Sequence, residues 1–477
     1  MGGAVLLPQT GSRPSVSASP APHQHHHPSA TGGVRSVGSR LVAEPFQVPM
    51  PLLPELRPIR STWDTDLYRV NIQPTTAEIL PGYNTPIFGY NGRFVGPTIR
   101  GRVGRKVKVT FQNNLDHPAN VHLHGGHVAP ENDGHPMDII DPGSSRLYEY
   151  PNTQQGTTLW YHDHSHHTEA ENVYRGLNGF YLIDDASEDH LCLPRGGYDV
   201  PISLRDALFD ENGTMLFGGN PAERNVALAN GKPSPYFQVA ARKYRFRLLN
   251  SGTERTWRLT LGNNEEMIQI ASDGGLLPAP VARTGIRLSS AERVEIVIDF
   301  SKYAVGTQLV LADSVLGPVL RFDVVRRVAD FSRVPSVLRP IPALPPATNV
   351  RDVQLSFDFS TGFPVGLVNG QPYDPNRSDF VIKRGTTEIW NVTNADPAQF
   401  GFLHTFHVHL VQFKILSRNG AEPGLDDAGR KDTFFMGAGD NVKLQATFGD
   451  FLGKYAYHCH FLEHSTLGMM AQMEIVP

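Results

Sequence analysis

Cysteine is scarce in this sequence, and long apolar runs are absent. Its 477 residues include only two cysteines, Cys192 and Cys459. If Cys459 binds a metal, Cys192 has no partner, so an intrachain disulfide is excluded and the cysteines do not indicate a redox compartment. No run of about 18 apolar residues occurs, which excludes a membrane-spanning helix. No basic residue precedes the short apolar patch from Ala4 to Leu7, so we expect no recognisable secretion signal, and no localisation is predicted.

A strong net charge is also absent. The 43 basic and 47 acidic residues give a formal charge of −4. No general field therefore attracts nucleic acid or an anionic membrane, and we expect neither as a partner. Glycine and proline, by contrast, are abundant and spread along the chain, with 45 and 38 copies. This composition favours an all-β protein with many turns.

Residues 1–45 lack any apolar period and are rich in Ser, Pro, Gly and His. We predict that they form a disordered tail. Four histidines in it could bind a metal, although a solvated low-complexity segment is the favoured interpretation: His23, His25, His26 and His27.

An internal repeat predicts three domains of one all-β fold. Asn-Gly turns occur at Asn91, Asn230 and Asn369, about 140 residues apart, and each precedes two segments of alternating apolar and polar residues. Such alternation is typical of strands with one buried face, and therefore of sandwiches. The Pro-rich stretch from Pro335 to Pro346 predicts an extended linker. The predicted divisions are residues 1–45 (tail), 46–190 (first domain), 191–334 (second domain), 335–349 (linker) and 350–477 (third domain).

Ten of the 20 histidines form four clusters, two in the first predicted domain and two in the third. The clusters are His122 with His124, His162 with His164, His404 with His407 and His409, and His458 with His460 and His464. The i, i+2 spacing on a strand places both rings on one face, as ligands of adjacent metals require. Eight of these histidines can ligate three metals as two, three and three. Such a site must lie at the interface of the terminal domains.

The second predicted domain has lost, or never had, these ligands, and the register of the second histidine cluster stays open at His166. Arg258 and Thr260 stand at its positions equivalent to His122 and His124, so we expect this domain to provide spacing and packing. His166 repeats the spacing after His164 and, with His167, is the strongest alternative ligand; a surface role is favoured for both.

The tripeptide His458-Cys459-His460 indicates two connected metal centres. Cys459, His464 and Met469, with His404 as a second imidazole, form the soft ligand set of a type 1 copper. Successive side chains of an extended strand point to opposite faces, so Cys459 can face one metal while its histidine neighbours face others. This geometry predicts a covalent path on the order of 10 Å between the centres.

At these clusters the chain resembles the multicopper oxidases, from about residue 50 to the C-terminus. The segments TLWYHDHSHHTEAENVYRGLNGFYLIDD (158–185) and HTFHVHLVQFKILSR (404–418) are most similar to bacterial three-domain laccases and bilirubin oxidases. The resemblance implies three consecutive cupredoxin-like, Greek-key β-sandwich domains and four copper ions. It implies type 1 copper at His404, Cys459, His464 and Met469, type 2 copper at His122 and His407, and a type 3 pair at His124, His162, His164, His409, His458 and His460.

The expected activity is one-electron oxidation of a small aromatic donor coupled to reduction of O2 to water. His458, Cys459 and His460 would carry the electrons. Asp133 matches an acid of the family and would supply protons. Bacterial laccases have Glu where this chain has Ser465, so we expect Asp133 to carry an unusually large share of the supply, and Ser465→Glu to leave the rate unchanged or raise it.

Two other functions compete with this interpretation. Cuprous oxidases of the family often carry a Met-rich insert, because thioethers suit Cu(I). The nine methionines of this chain cluster only at Met469, Met470 and Met473, which disfavours an oxidase acting on Cu(I) or Fe(II). A non-enzymatic scaffold is disfavoured because such proteins lose their ligands, whereas all twelve are present here.

Overall fold

The computed structural model describes residues 33–37, 40–262 and 264–477, whose regular structure is mostly β-strand. Six sheets pair into three consecutive sandwiches, each around its own apolar core. The strands pack in this way because each has one apolar face. In the strand Lys106–Asn113, for example, Val107, Val109 and Phe111 are buried and alternate with more exposed residues. The all-β prediction is therefore confirmed, and the domain boundaries remain a prediction.

The first sandwich joins a five-stranded and a four-stranded sheet. The strands of one sheet are Arg60–Ser61, Thr65–Ala77, Lys106–Asn113 and Ser145–Tyr150 in spatial order, with Thr85–Tyr90 paired to Thr65–Ala77. Those of the other are Gly96–Arg102, Asn178–Asp184, Thr157–His162 and His122–His124. The helix α1, Glu169–Arg175, precedes Asn178–Asp184.

The second sandwich joins a seven-stranded and a five-stranded sheet. The larger contains Lys232–Pro233, Val226–Ala229, Asp199–Ala207, Lys243–Asn250, Arg293–Asp299, Met267–Ser272 and Gly275–Arg283 in spatial order. The smaller contains Tyr236–Ala241, Gly317–Arg327, Gln308–Asp313, Trp257–Leu261 and Gly285–Leu288.

The third sandwich joins two five-stranded sheets. One contains Val365–Val368, Asn349–Asp358, Thr386–Asn394, Asn441–Phe448 and Lys414–Arg418 in spatial order. The other contains Phe380–Lys383, Met470–Val476, Gly453–Cys459, His404–Val408 and Thr433–Met436. The helix α2, Leu462–Thr466, lies between its last two strands in sequence.

The repeated Asn-Gly turns are observed in all three sandwiches. Asn91, Asn230 and Asn369 have φ of 53°, 48° and 52°, and the glycine after each is also left-handed. Two successive positive φ values define the turn that matches the twist of a hairpin, which is why the Asn-Gly pair recurs.

The prediction of a disordered tail is wrong for its described residues. Val34–Val37 and Arg40–Ala43 pair as antiparallel strands, and the second also pairs with Phe209–Asp210. Leu41 is buried in an apolar cluster beside the second sandwich, which explains why this polar segment is held there. The remainder of the tail, including its four histidines, lies outside the described residues. No helix in the described ranges is long and apolar enough to cross a membrane.

Candidate metal centre

Two strand pairs bring the histidine clusters together. In the first sandwich His122–His124 pairs with Thr157–His162, and His122 lies opposite His162. In the third sandwich His404–Val408 pairs with Gly453–Cys459, and His407 lies opposite His458. Each cluster is thus fixed by a hydrogen-bonded ladder, and the two ladders face each other across the interface between the sandwiches.

Eight buried histidines from these strands and their ends form what we call the eight-histidine cluster: His122, His124, His162, His164, His407, His409, His458 and His460. They divide into three overlapping groups whose ring nitrogens lie within 4.8 Å of one another: His122, His124 and His407; His124, His162 and His460; and His164, His409 and His458. All eight rings lie at the interface between the first and third sandwiches, where the four sequence clusters predict them.

The nitrogens that face inward lack hydrogen-bond partners. Five are fully buried and unpaired: Nε2 of His122, His162, His407 and His460, and Nδ1 of His124. The other three, Nε2 of His164, His409 and His458, contact only each other at 3.2 and 3.3 Å. Buried polar atoms ordinarily find partners, so this set of converging nitrogen lone pairs fits metal ions.

The outward nitrogens are held by fixed acceptors. Nδ1 of His122 lies 2.5 Å from the carbonyl oxygen of Asp133, and Nδ1 of His407 lies 2.8 Å from that of Asp432. A carbonyl oxygen can only accept, so Nδ1 donates and Nε2 keeps its lone pair for a metal. Burial also lowers the pKa of both rings, which keeps them neutral.

A second, smaller site surrounds the thiol of Cys459. Its Sγ lies 3.6 Å from Nδ1 of both His404 and His464, and those two nitrogens are 3.2 Å apart. Nε2 of His404 lies 2.9 Å from a carboxylate oxygen of Asp396, which orients that ring. Met469 is fully buried, and its carbonyl oxygen accepts from the amide of Cys459 at 3.0 Å. Burial raises the pKa of Cys459 to about 12, so the thiol keeps its proton at neutral pH until a metal ion displaces it.

Asp133 lies beside the eight-histidine cluster, as its sequence position predicted. Its Oδ2 is 2.7 Å from Nδ1 of His409, while Oδ1 is buried without a partner. Burial raises the pKa of Asp133 well above its usual range. The carboxyl can therefore hold a proton at Oδ1 within a protein interior.

Sequence reasoning missed a second buried carboxylate. Glu169, at the start of α1, is fully buried with Oε2 2.6 Å from Nδ1 of His164, and the hydroxyl of Ser465 lies beside it. Burial raises its pKa, but His164 and nearby hydrogen bonds outweigh that effect and lower it to about 2. In the sequence Glu169 is an ordinary acidic residue in the first turn of a helix, so only the structure, which shows its burial, indicates a role at the site.

His166 and His167 do not join the cluster. Their ring centroids lie 3.7 Å apart with the planes tilted by 35°, and His166 also contacts Tyr373. Neither belongs to a metal-competent group in the described part of the chain.

Aromatic side chains surround the outer edge of the smaller site. The Phe357 ring lies 4.8 Å from that of His464, and it contacts Phe359 and Phe402 at 5.8 and 5.3 Å. Phe400, 61% exposed, packs against Phe402, and Phe359 is 49% exposed. We call Phe357, Phe359, Phe400 and Phe402 the aromatic platform. Glu254 also approaches, with Oε1 3.9 Å from Nε2 of His464.

Two family models for multicopper oxidases match residues 71–188 and 342–477. A laccase from Bacillus subtilis is 33% identical over 91% of this chain and 99% of its own length. A bilirubin oxidase from Albifimbria verrucaria is 36% identical over 89% of this chain and 80% of its own.

Solved structures agree with the cupredoxin-like fold. A laccase from Pediococcus acidilactici has a TM-score of 0.85 at 31% identity, covering 91% of this chain and 95% of its own. A Campylobacter jejuni multicopper oxidase, described as a metallo-oxidase, has a TM-score of 0.79 at 25% identity, covering 90% and 96%. With ligand-competent clusters in the same chain, these matches establish that the protein belongs to the multicopper oxidase family.

Proposed function

We propose that this chain takes single electrons from phenolic or related aromatic donors and delivers four of them to O2, forming water. Membership of the family implies copper as the metal and O2 as the oxidant. The donor class, the number of copper ions and the role of each residue are the content of the proposal.

The ligand groups support four copper ions. We assign His404, Cys459, His464 and Met469 to a type 1 ion, His122 and His407 to a type 2 ion, and His124, His162, His164, His409, His458 and His460 to a type 3 pair. The eight inward ring nitrogens form three groups of three, two of which share His124, so counting His124 with His162 and His460 divides them as two, three and three. Bound copper alternates between the cuprous and cupric states and so supplies the one-electron chemistry.

The protein's own residues connect and separate the two sites. His458 and His460 flank Cys459 at the end of one strand, so a short covalent path joins the donor side to the oxygen side. The eight-histidine cluster is buried, which keeps donors away from partly reduced oxygen. Asp133 contacts His409 through Oδ2 and keeps Oδ1 buried and free, so it is positioned to hold a proton for the reaction.

The aromatic platform is the observation that favours an organic donor. Of the twelve assigned ligands, His464 is the most exposed at 9%, and its ring touches Phe357. Exposed Phe359 and Phe400 extend that surface into solvent. Flat aromatic molecules gain stacking energy there, whereas a hydrated metal ion gains none.

An oxidase acting on Cu(I) or Fe(II) is the second candidate. The carboxylate of Glu254 near His464 favours it, because a cation could dock on that oxygen. The metallo-oxidase among the similar structures points the same way.

A comparison of donors separates these candidates. Bilirubin, a methoxyphenol, an aminophenol and Cu(I) should be oxidised side by side by the copper-loaded parent, Phe359→Ser and Phe400→Ser. Loss of one stacking contact costs about 1 kcal/mol, so we expect KM for the aromatic donors to rise roughly fivefold, with Cu(I) oxidation unchanged. Phe331→Ser, at a phenylalanine that lies outside the platform and is more exposed than either of these two, is the control. Faster turnover of Cu(I) than of every organic donor would favour the second candidate.

A further inference from the structure

The turn at residues 289–292 of the second sandwich, which leads into the strand Arg293–Asp299, reaches the eight-histidine cluster, although that sandwich supplies none of its rings. Oγ of Ser290 lies 3.5 Å from Nδ1 of His460, and Oγ of Ser289 lies 2.5 Å from Oγ1 of Thr405. Ala291 in this turn has φ of 68°, a strained conformation for a residue with a Cβ. Strain of this kind persists where surrounding contacts impose it.

Arg293 connects all three sandwiches at one point. Its guanidinium is fully buried, and Nη1 and Nη2 each donate to one oxygen of Asp432 in the third sandwich at 2.6 Å. Its Nε donates to the carbonyl oxygen of Thr158 in the first sandwich at 2.9 Å. A forked pair of this kind fixes both the position and the plane of a carboxylate.

The fixed carboxylate in turn sets the orientation of one ring. Oδ1 of Asp432 lies 3.0 Å from Nε2 of His124, and Oγ1 of Thr433 lies at the same distance. Nε2 therefore donates, and Nδ1 of His124 is left unpaired among its neighbours His162 and His460.

This orientation is opposite to that of the other oriented rings. Six of them turn Nδ1 outward to a carbonyl or carboxylate oxygen: His122, His162, His164, His407, His409 and His458. The reversed ring of His124 is thus explained by Asp432, the carboxylate to which Arg293 makes its forked pair.

We propose that Arg293 is a positioning residue for the copper site, fixing Asp432 so that His124 presents Nδ1 rather than Nε2 to the metal. The inference rests on the proposed function, and it gives the second sandwich a part in the site beyond the spacing and packing that its sequence predicts. Loss of a group that hydrogen-bonds to a metal-binding histidine typically lowers metal affinity by about 10- to 100-fold, and we expect an effect of this size here.

Arg247 provides a matched control. It is also a buried arginine on a strand of the second sandwich, and it makes a forked pair with Asp199 at 2.7 and 2.8 Å. It also donates to Thr158, through Oγ1 at 2.9 Å. Its loss therefore removes a similar buried ion pair at the same interface without touching Asp432.

The test follows copper retention in the full-length protein. Copper-loaded parent, Arg293→Gln, Arg293→Lys and Arg247→Gln are exposed to EDTA, and copper per chain is measured over time beside the blue absorption of the type 1 site. We expect Arg293→Gln to lose copper about tenfold faster than the parent or more, with the blue absorption retained. Arg247→Gln should match the parent in copper retention, and Arg293→Lys should lie between.

A second variant keeps the test decisive if Arg293→Gln does not fold. Asp432→Asn preserves volume and should lose copper as Arg293→Gln does; the double variant should add little, because both changes act through His124. Equal copper loss from Arg293→Gln and Arg247→Gln, parent-like retention in Asp432→Asn, or parallel loss of the blue absorption would overturn the inference. A parent that binds no copper with blue absorption would instead refute the proposed function.

Discussion

At the scale of single residues, each histidine of the site has two nitrogens, and the fold decides which one remains free. Backbone carbonyls make that choice for His122, His162, His407 and His458, and carboxylates make it for His124, His164 and His409. Carboxylate partners also make a ring more basic. The local chemistry of the site is therefore set as much by these acceptors as by the ligands.

The sequence predicted the ligands more fully than their partners. The His-x-His spacing and the Cys-containing motif identify ligands because both follow from strand geometry. Asp432 and Asp396 carry no such local signal, since Asp432 meets His124 across 308 positions of the chain. The burial of Glu169 carries no local signal either, because it depends on contacts that residues outside the helix α1 make with it.

Glu169 changes the expected effect of Ser465→Glu. A glutamate at 465 would place a second carboxylate beside Glu169 in a buried site, so one of them must stay protonated or move. We now expect Ser465→Glu to destabilise the copper-free protein by roughly 1–3 kcal/mol and to slow oxygen reduction. Thermal unfolding and oxygen uptake measure the two effects.

A charge exchange supplies the control for this prediction. Glu169→Ser combined with Ser465→Glu restores a single carboxylate and should recover most of the lost stability. Glu171→Gln, on the same helix but partly exposed and paired with Arg175, should change neither property. A Ser465→Glu protein as stable and as active as the parent would restore the expectation drawn from sequence.

At the scale of elements, strands were the most predictable feature and loops the least. Alternation of buried and exposed positions located the repeated strands, and the Asn-Gly pairs located their hairpin turns. The loop that places Asp133 is different. It contains the short 3-10 helix Pro130–Asn132 and closes at Gly134, whose φ is +76°.

Gly134 should be more sensitive to substitution than its backbone angle alone requires. A Cβ at this position would overlap the carbonyl of Val121, next to His122. Gly143 has the same φ of +76°, but nothing lies within 4 Å of its Cβ position. The left-handed angle costs alanine about 1–2 kcal/mol at either site, so Gly134→Ala should exceed Gly143→Ala in lost unfolding free energy by about 1 kcal/mol or more.

Copper retention distinguishes the same two variants. Displacement at Gly134 moves Asp133 and with it the acceptors of His122 and His409, so only Gly134→Ala should lose copper faster than the parent. Denaturant unfolding and copper analysis supply the measurements. Equal effects of the two substitutions would show that the loop adapts and that Asp133 is not held by this close approach.

At the scale of the whole molecule, the repeat in the sequence predicted the three sandwiches and the interface that holds the eight-histidine cluster. It did not predict that the second sandwich reaches this interface, because Arg293 belongs to an ordinary alternating strand and meets Asp432 only after folding. The two strands at Val34–Val37 and Arg40–Ala43 were missed similarly, since Phe209–Asp210, which pairs with the second of them, lies in another part of the chain.

The most direct test of the central claim is the ratio of donor electrons consumed to O2 consumed by the copper-loaded protein. A methoxyphenol and a calibrated oxygen electrode suffice, with copper per chain and visible absorption measured on the same sample. The account predicts four copper ions per chain, an absorption near the red end of the spectrum, and four electrons per O2 with no accumulated peroxide. Copper-loaded protein that lacks this absorption and takes up no oxygen, or that accumulates peroxide at two electrons per O2, would contradict it.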